Sequence, residues 1–133
     1  MNGTRAQHFF HTAEDLKLTW RSLGFPKFRK STPTSIYRIS EITSGKRLLK
    51  ESRLMKHCVF SYLGMCSSGK AHIFSFSEEI KATGKPGVRK PRVTIEVKDG
   101  KMVQAYGKNN SLPPVEFIAL ISDWCEKNGI ANL

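Results

Sequence analysis

Hydrophobic and polar positions alternate most regularly over Arg92–Asn110, RVTIEVKDGKMVQAYGKNN. Val93, Ile95 and Val97 alternate with Arg92, Thr94, Glu96 and Lys98. After Asp99-Gly100 the alternation resumes, with Met102 and Gln104 flanking Val103. A period of two on both sides of Asp-Gly predicts a β-hairpin with a type I′ turn, where glycine supplies the positive φ. Val93, Ile95 and Val97 then face a core. Arg92, Thr94, Glu96, Gln104 and Lys108 carry the polar chemistry, and Gly107–Asn110 reads as a tight turn ending in side-chain amides.

Elsewhere the period changes. Thr12 and Asp15 form a capping-box variant, predicting a helix through Leu16, Leu18, Trp20 and Leu23 that stops at Gly24 before Pro26. Residues 26–35, with two prolines, three cations and small hydroxyls, read as a loop. Residues 36–42 alternate as a short strand. Ser44 caps a helix expected over 45–56, with Leu48, Leu49 and Met55 on its apolar side and only Glu51 offsetting its cations. Residues 57–67 suggest a second short helix, 71–76 a strand, and 77–91 a polar loop. Pro113 opens a last helix whose apolar stripe is Val115, Ile118, Ile121, Trp124 and Cys125, with Gly129 as its stop.

This order predicts an α+β fold. A small antiparallel sheet with the β-hairpin central carries helices packed on one face and at both chain ends. Burial of Val93, Ile95, Val97, Ile73, Ile118 and Trp124 together is expected. Two segments are distinguished: residues 1–35 as an N-terminal helix and basic loop, and 36–133 as a single α+β domain.

The chain has 133 residues and 39% apolar content, within the range of one soluble domain. No apolar run approaches the length of a membrane span, and Met1–Phe10 lacks a secretory layout. A cytoplasmic protein with no membrane association is expected. Cys58, Cys66 and Cys125 lack the pairing of a disulfide framework or zinc site, so they read as buried thiols, and no metal or cofactor is expected.

Charge changes the picture most. Twenty-two lysines and arginines against eleven acids give a net charge of +11, which favours a polyanionic partner. The candidate nucleic-acid-binding residues are Lys46, Arg47, Lys50, Arg53 and Lys56 on the predicted helix, and Lys85, Arg89, Lys90 and Arg92 in and after the polar loop. They would hold backbone phosphates, with RNA favoured.

Several motifs carry a family resemblance. Met55-Lys56-His57-Cys58-Val59 is followed by Tyr62, Ile73-Phe74-Ser75, Arg92 with Thr94-Ile95-Glu96-Val97, and Gln104-Ala105-Tyr106-Gly107-Lys108-Asn109-Asn110. In order and spacing, residues 51–114 resemble the PcfJ-like domain of conjugative plasmids, phages and related mobile elements. Phe76 and Ser77 stand where that family often has a basic residue. The resemblance implies a fold and a mobile-element or defence setting, and no settled reaction.

Candidate chemistry follows from residue types. His57 titrates near neutrality, Tyr62 and the amides of Gln104 and Asn109 hydrogen-bond, and Lys108 stabilises a phosphate charge. If these five converge, they suit metal-independent RNA cleavage. The alternative for His57 is a residue satisfying backbone groups at a helix junction. From another class, the chain reads as a non-catalytic adaptor or inhibitor that binds a host or element-encoded protein or ribonucleoprotein.

Overall fold

The computed structural model describes residues 11–132. Six strands form one sheet in sequence order: β1 (Phe28–Ser31), β2 (Ser35–Ile42), β3 (His72–Ile80), β4 (Arg89–Lys98), β5 (Lys101–Tyr106) and β6 (Ala131–Asn132). The first five form an antiparallel meander, whereas β6 runs parallel to β5. The sheet is therefore mixed, not purely antiparallel. Parallel entry of β6 follows from a crossover: the chain leaves β5, traverses a helix, and returns in the same direction.

The predicted hairpin forms as β4–β5. Asp99 and Gly100 have φ of 52° and 73°, the two positive values a type I′ turn requires. Among the described residues four helices accompany the sheet: α1 (Ala13–Lys17), α2 (Gly45–Met55), α3 (Leu63–Ser67) and α4 (Val115–Lys127). A 3₁₀ turn over Val59–Tyr62 precedes α3.

Helices cover both faces of the sheet, not one. On one face Val93, Ile95, Val97, Phe74 and Phe76 pack with Ile121, Trp124 and Cys125 of α4. On the other, Ile42 and Ile73 pack with Leu48 of α2, Val59 and Phe60 of the 3₁₀ turn, and Cys66 of α3. Ile73 and Phe74 are consecutive, so the pleat sends them to opposite sides. Ile73 thus leaves the expected cluster, and Ile118 is only half-buried. The polar side of β4 is also not solvated, because Thr94 and Glu96 are buried.

Local signals were redirected by pairing in three places. The Thr12–Asp15 capping box forms, but α1 ends at Lys17, short of Gly24. The following backbone pairs with the entry to α2 instead: Gly45 donates to Leu18 at 2.9 Å and Trp20 to Thr43 at 3.0 Å. Residues 28–31, expected in a loop, form β1 because Phe28 pairs opposite Ile39 and packs on the core. The boundary expected at 35/36 consequently falls inside the β1–β2 hairpin. The expected 77–91 loop shrinks to 81–88, since β3 continues to Ile80 and β4 starts at Arg89. All three cysteines are buried. Among the described residues no helix is long and apolar enough to cross a membrane.

Candidate nucleic-acid interface

Helix α2 lies over a polar ladder on β2, β3 and β4. Ser40 sits opposite Ser75, which sits opposite Thr94; one step along, Ser77 faces Arg38 and Pro91. Ser44 caps the helix by accepting from the Arg47 N–H at 3.2 Å. Leu48 and Met55 anchor it in the core. Glu51, three residues after Leu48 and four before Met55, shares that inward stripe and is buried. Arg47, Lys50 and Leu54 form the neighbouring stripe.

Between this stripe and the ladder lies a cavity of about 480 Å³. Its cations are Arg47 and Lys50 from α2 and Arg89 from β4. Ser40, Ser75 and Ser77 supply hydroxyls, and Glu51 forms part of the wall. The Arg89 Nε–H donates to the Ser77 hydroxyl at 2.7 Å, which fixes the guanidinium at the rim. Burial, with the nearby charges of Arg38 and Arg47, lowers the Arg89 pKa, opposed by Glu79. Glu79 is already paired with Arg38 at 2.8 Å. Three lining cations against one lining carboxylate leave a positive excess that favours an incoming anion. The Ser40 hydroxyl oxygen is buried without a hydrogen-bond partner.

Glu51 accepts from Ser75 at Oε1 (3.0 Å) and from Thr94 at Oε2 (2.6 Å). Burial raises its pKa; those two bonds and the charge of Arg47 oppose the rise. Behind Thr94 lies His57, 1% exposed. Thr94 spends its only proton on Glu51, so its oxygen accepts from His57 Nε2–H at 2.9 Å. Nδ1 then accepts from the Val59 N–H at 3.4 Å. The ring is a neutral Nε2–H tautomer, and burial pushes its pKa down to about 4. His57 is thus a junction residue tying the end of α2 to β4, with no open face for a substrate.

Of the other candidates, Tyr62 and Gln104 meet each other, and Lys108 and Asn109 share one exposed turn. The Gln104 amide donates to Tyr62 Oη at 3.1 Å, joining β5 to the 3₁₀ turn. Burial raises the Tyr62 pKa, opposed by this bond and assisted by Glu96. Lys108 and Asn109 are exposed on a 3₁₀ turn over Lys108–Asn110, where Asn109 has φ of 58°. Lys46 and Arg53 on α2, and Lys56 just after it, are exposed and are not part of the cavity wall. Lys85, Lys90 and Arg92 line a separate depression with Glu78, to which the Arg92 Nε–H donates at 2.9 Å. The basic run is therefore divided, with Arg89 in one cavity and Lys90 in the other.

Sequence reasoning missed Ser40, Ser77, and the Glu51–Ser75–Thr94 set. Its one available signal was Glu51, a charged residue standing on an apolar helical stripe.

The protein-family model described as PcfJ-like protein matches residues 26–119, a span that holds every residue of the cavity. No curated protein and no solved structure matches the chain.

Proposed function

We propose, for a chain that belongs to the PcfJ-like protein family, that the cavity between α2 and the sheet binds a nucleic-acid backbone. One observation carries the reading. Arg47, Lys50 and Arg89 face one cavity, and the nearby Glu79 is committed to Arg38. A phosphate entering there meets the Arg89 guanidinium already ordered by Ser77, so little conformational entropy is lost at that donor on binding. The net charge of +11 extends the attraction beyond the cavity and speeds encounter. The reading keeps the setting expected from the resemblance, a mobile element or a defence system acting in the cytoplasm.

Binding rather than cleavage is the function supported. His57, the group expected to shuttle protons, is enclosed and neutral. General acid–base work requires reach to the reacting hydroxyl.

The test is fluorescence anisotropy with a labelled single-stranded RNA across a salt series. Wild type should weaken linearly in log salt, by about 0.7 of a unit of slope per phosphate contact on a single strand. Arg47→Ala with Arg89→Ala should lower affinity by about tenfold or more at ~0.1 M salt and remove about 1.4 units of slope. Salt-insensitive binding, or a double variant equal to wild type, would overturn the reading and favour an acidic protein partner.

A further inference from the structure

We infer that Glu51 accepts a hydrogen bond from a ribose 2′-hydroxyl and so makes the cavity selective for RNA over DNA. The inference rests on the nucleic-acid reading above and names its substrate class. It begins from a conflict of charge. A carboxylate in the wall of a cationic cavity repels the phosphate that Arg47, Lys50 and Arg89 attract. A pocket built for phosphate alone binds better without it. A hydroxyl donor on the same ligand resolves the conflict.

Geometry supplies the acceptor. Ser75 and Thr94 each occupy one lone-pair position of Glu51, one per oxygen. A carboxylate offers about four such positions, and Glu51, with two of them taken, lines the cavity. The same two bonds lock the rotamer, with Thr94 in turn held by His57, and the acceptor is ordered before any ligand arrives. Ser40 adds a second polar atom in the cavity wall, buried and without a partner. About 480 Å³ is space for one nucleotide. In RNA the 2′-hydroxyl lies beside the 3′-phosphate of its own nucleotide, so one residue can place its phosphate on the arginines and its hydroxyl on Glu51. The 2′-hydroxyl is also the group by which proteins tell RNA from DNA.

The test uses the full chain and four matched single-stranded oligonucleotides of one sequence: RNA, DNA, 2′-fluoro RNA and 2′-O-methyl RNA. The 2′-fluoro strand keeps the ribose pucker of RNA and lacks the donor. Wild type should bind RNA about tenfold or more tighter than both DNA and 2′-fluoro RNA. Glu51→Gln, with its fold checked by thermal melting, should bring the RNA-to-DNA ratio close to one. Equal wild-type affinity for RNA and 2′-fluoro RNA overturns the inference whether or not the variant folds, since shape and not the donor would then be read. Equal binding of all four strands overturns it while leaving nucleic-acid binding intact. Failure of all four to bind removes the underlying reading.

Discussion

His57 Nε2 lies 2.9 Å from the Thr94 hydroxyl, and that hydroxyl gives its proton to Glu51 across 2.6 Å. Three segments are joined by these two bonds: the end of α2, the middle of β4 and the centre of α2. The direction of donation runs one way, from ring to hydroxyl to carboxylate; protonating the ring leaves the Nε2–H donor in place but removes the Nδ1 acceptor of the Val59 N–H and puts a charge in the core.

A pH dependence of stability follows. The folded pKa of His57, about 4, is depressed below the ordinary value of 6.5. A depressed group adds stability that is fully present above the unfolded pKa and lost as pH falls through the folded one. The window is about pH 6.5 down to about 4. The loss is on the order of 2–3 kcal/mol, at ~1.4 kcal/mol per unit. Glu51 and Glu96, both raised by burial, act oppositely: their contribution is present at low pH and lost as pH rises. Urea unfolding from pH 8 to 4 on wild type and His57→Gln isolates the histidine, because the carboxyl contributions cancel in the difference. The variant should be less stable at pH 7, and the gap should close toward pH 4.

The division of the basic run predicts unequal effects within it. Arg89→Ala should weaken RNA binding severalfold or more. Lys90→Ala should do much less, although the residues are adjacent, because the two side chains line different cavities. Arg92→Ala should also spare most affinity, since its guanidinium is occupied by Glu78. Equal losses for all three in the anisotropy assay would mean that charge alone, not the cavity, governs binding.

Gly45 opens α2 where α1 crosses it. A Cβ there would collide with the Asp15 carbonyl, and the Gly45 N–H already donates to Leu18. Gly45→Ala should cost about 1–3 kcal/mol by forcing the crossing apart. Thermal unfolding and protease sensitivity near residues 13–20 would record it; unchanged stability would show that this crossing contributes nothing.

The α4 face should respond very unevenly to truncation. Trp124 is buried and meets Phe74 edge-on with centroids 4.8 Å apart. Trp124→Ala should cost about 3–5 kcal/mol, whereas the half-buried Ile118 should cost about 1–2 kcal/mol when changed to alanine. Chemical denaturation of both variants checks the contrast.

Much of the fold was legible because its signals are local. The β4–β5 hairpin, its Asp99-Gly100 turn, the α2 span from the Ser44 cap, and the Thr12–Asp15 box each depend on residues a few positions apart. The candidate site was less legible. Arg47, Lys50 and Arg89 stood out by charge, but nothing in the sequence separated them from Lys90 or Arg92. His57 looked reactive by residue type, and only the fold shows it enclosed between Thr94 and Val59. Ser40, Ser75 and Ser77 look like ordinary strand hydroxyls until they line one cavity.

By itself the sequence determined the periodicities, the turn chemistry, the caps and the charge, all set by near neighbours along the chain. Tertiary structure alone decided which face each stripe buries, that β6 returns parallel to β5, and that Phe28 draws a proline-flanked segment into the sheet. It also decided that Glu51 meets Thr94 across 43 positions. The physical reason is register. Strand pairing between distant segments aligns Ser40, Ser75 and Thr94 in one row, and burial by α2 then sets which of those polar groups bond to each other.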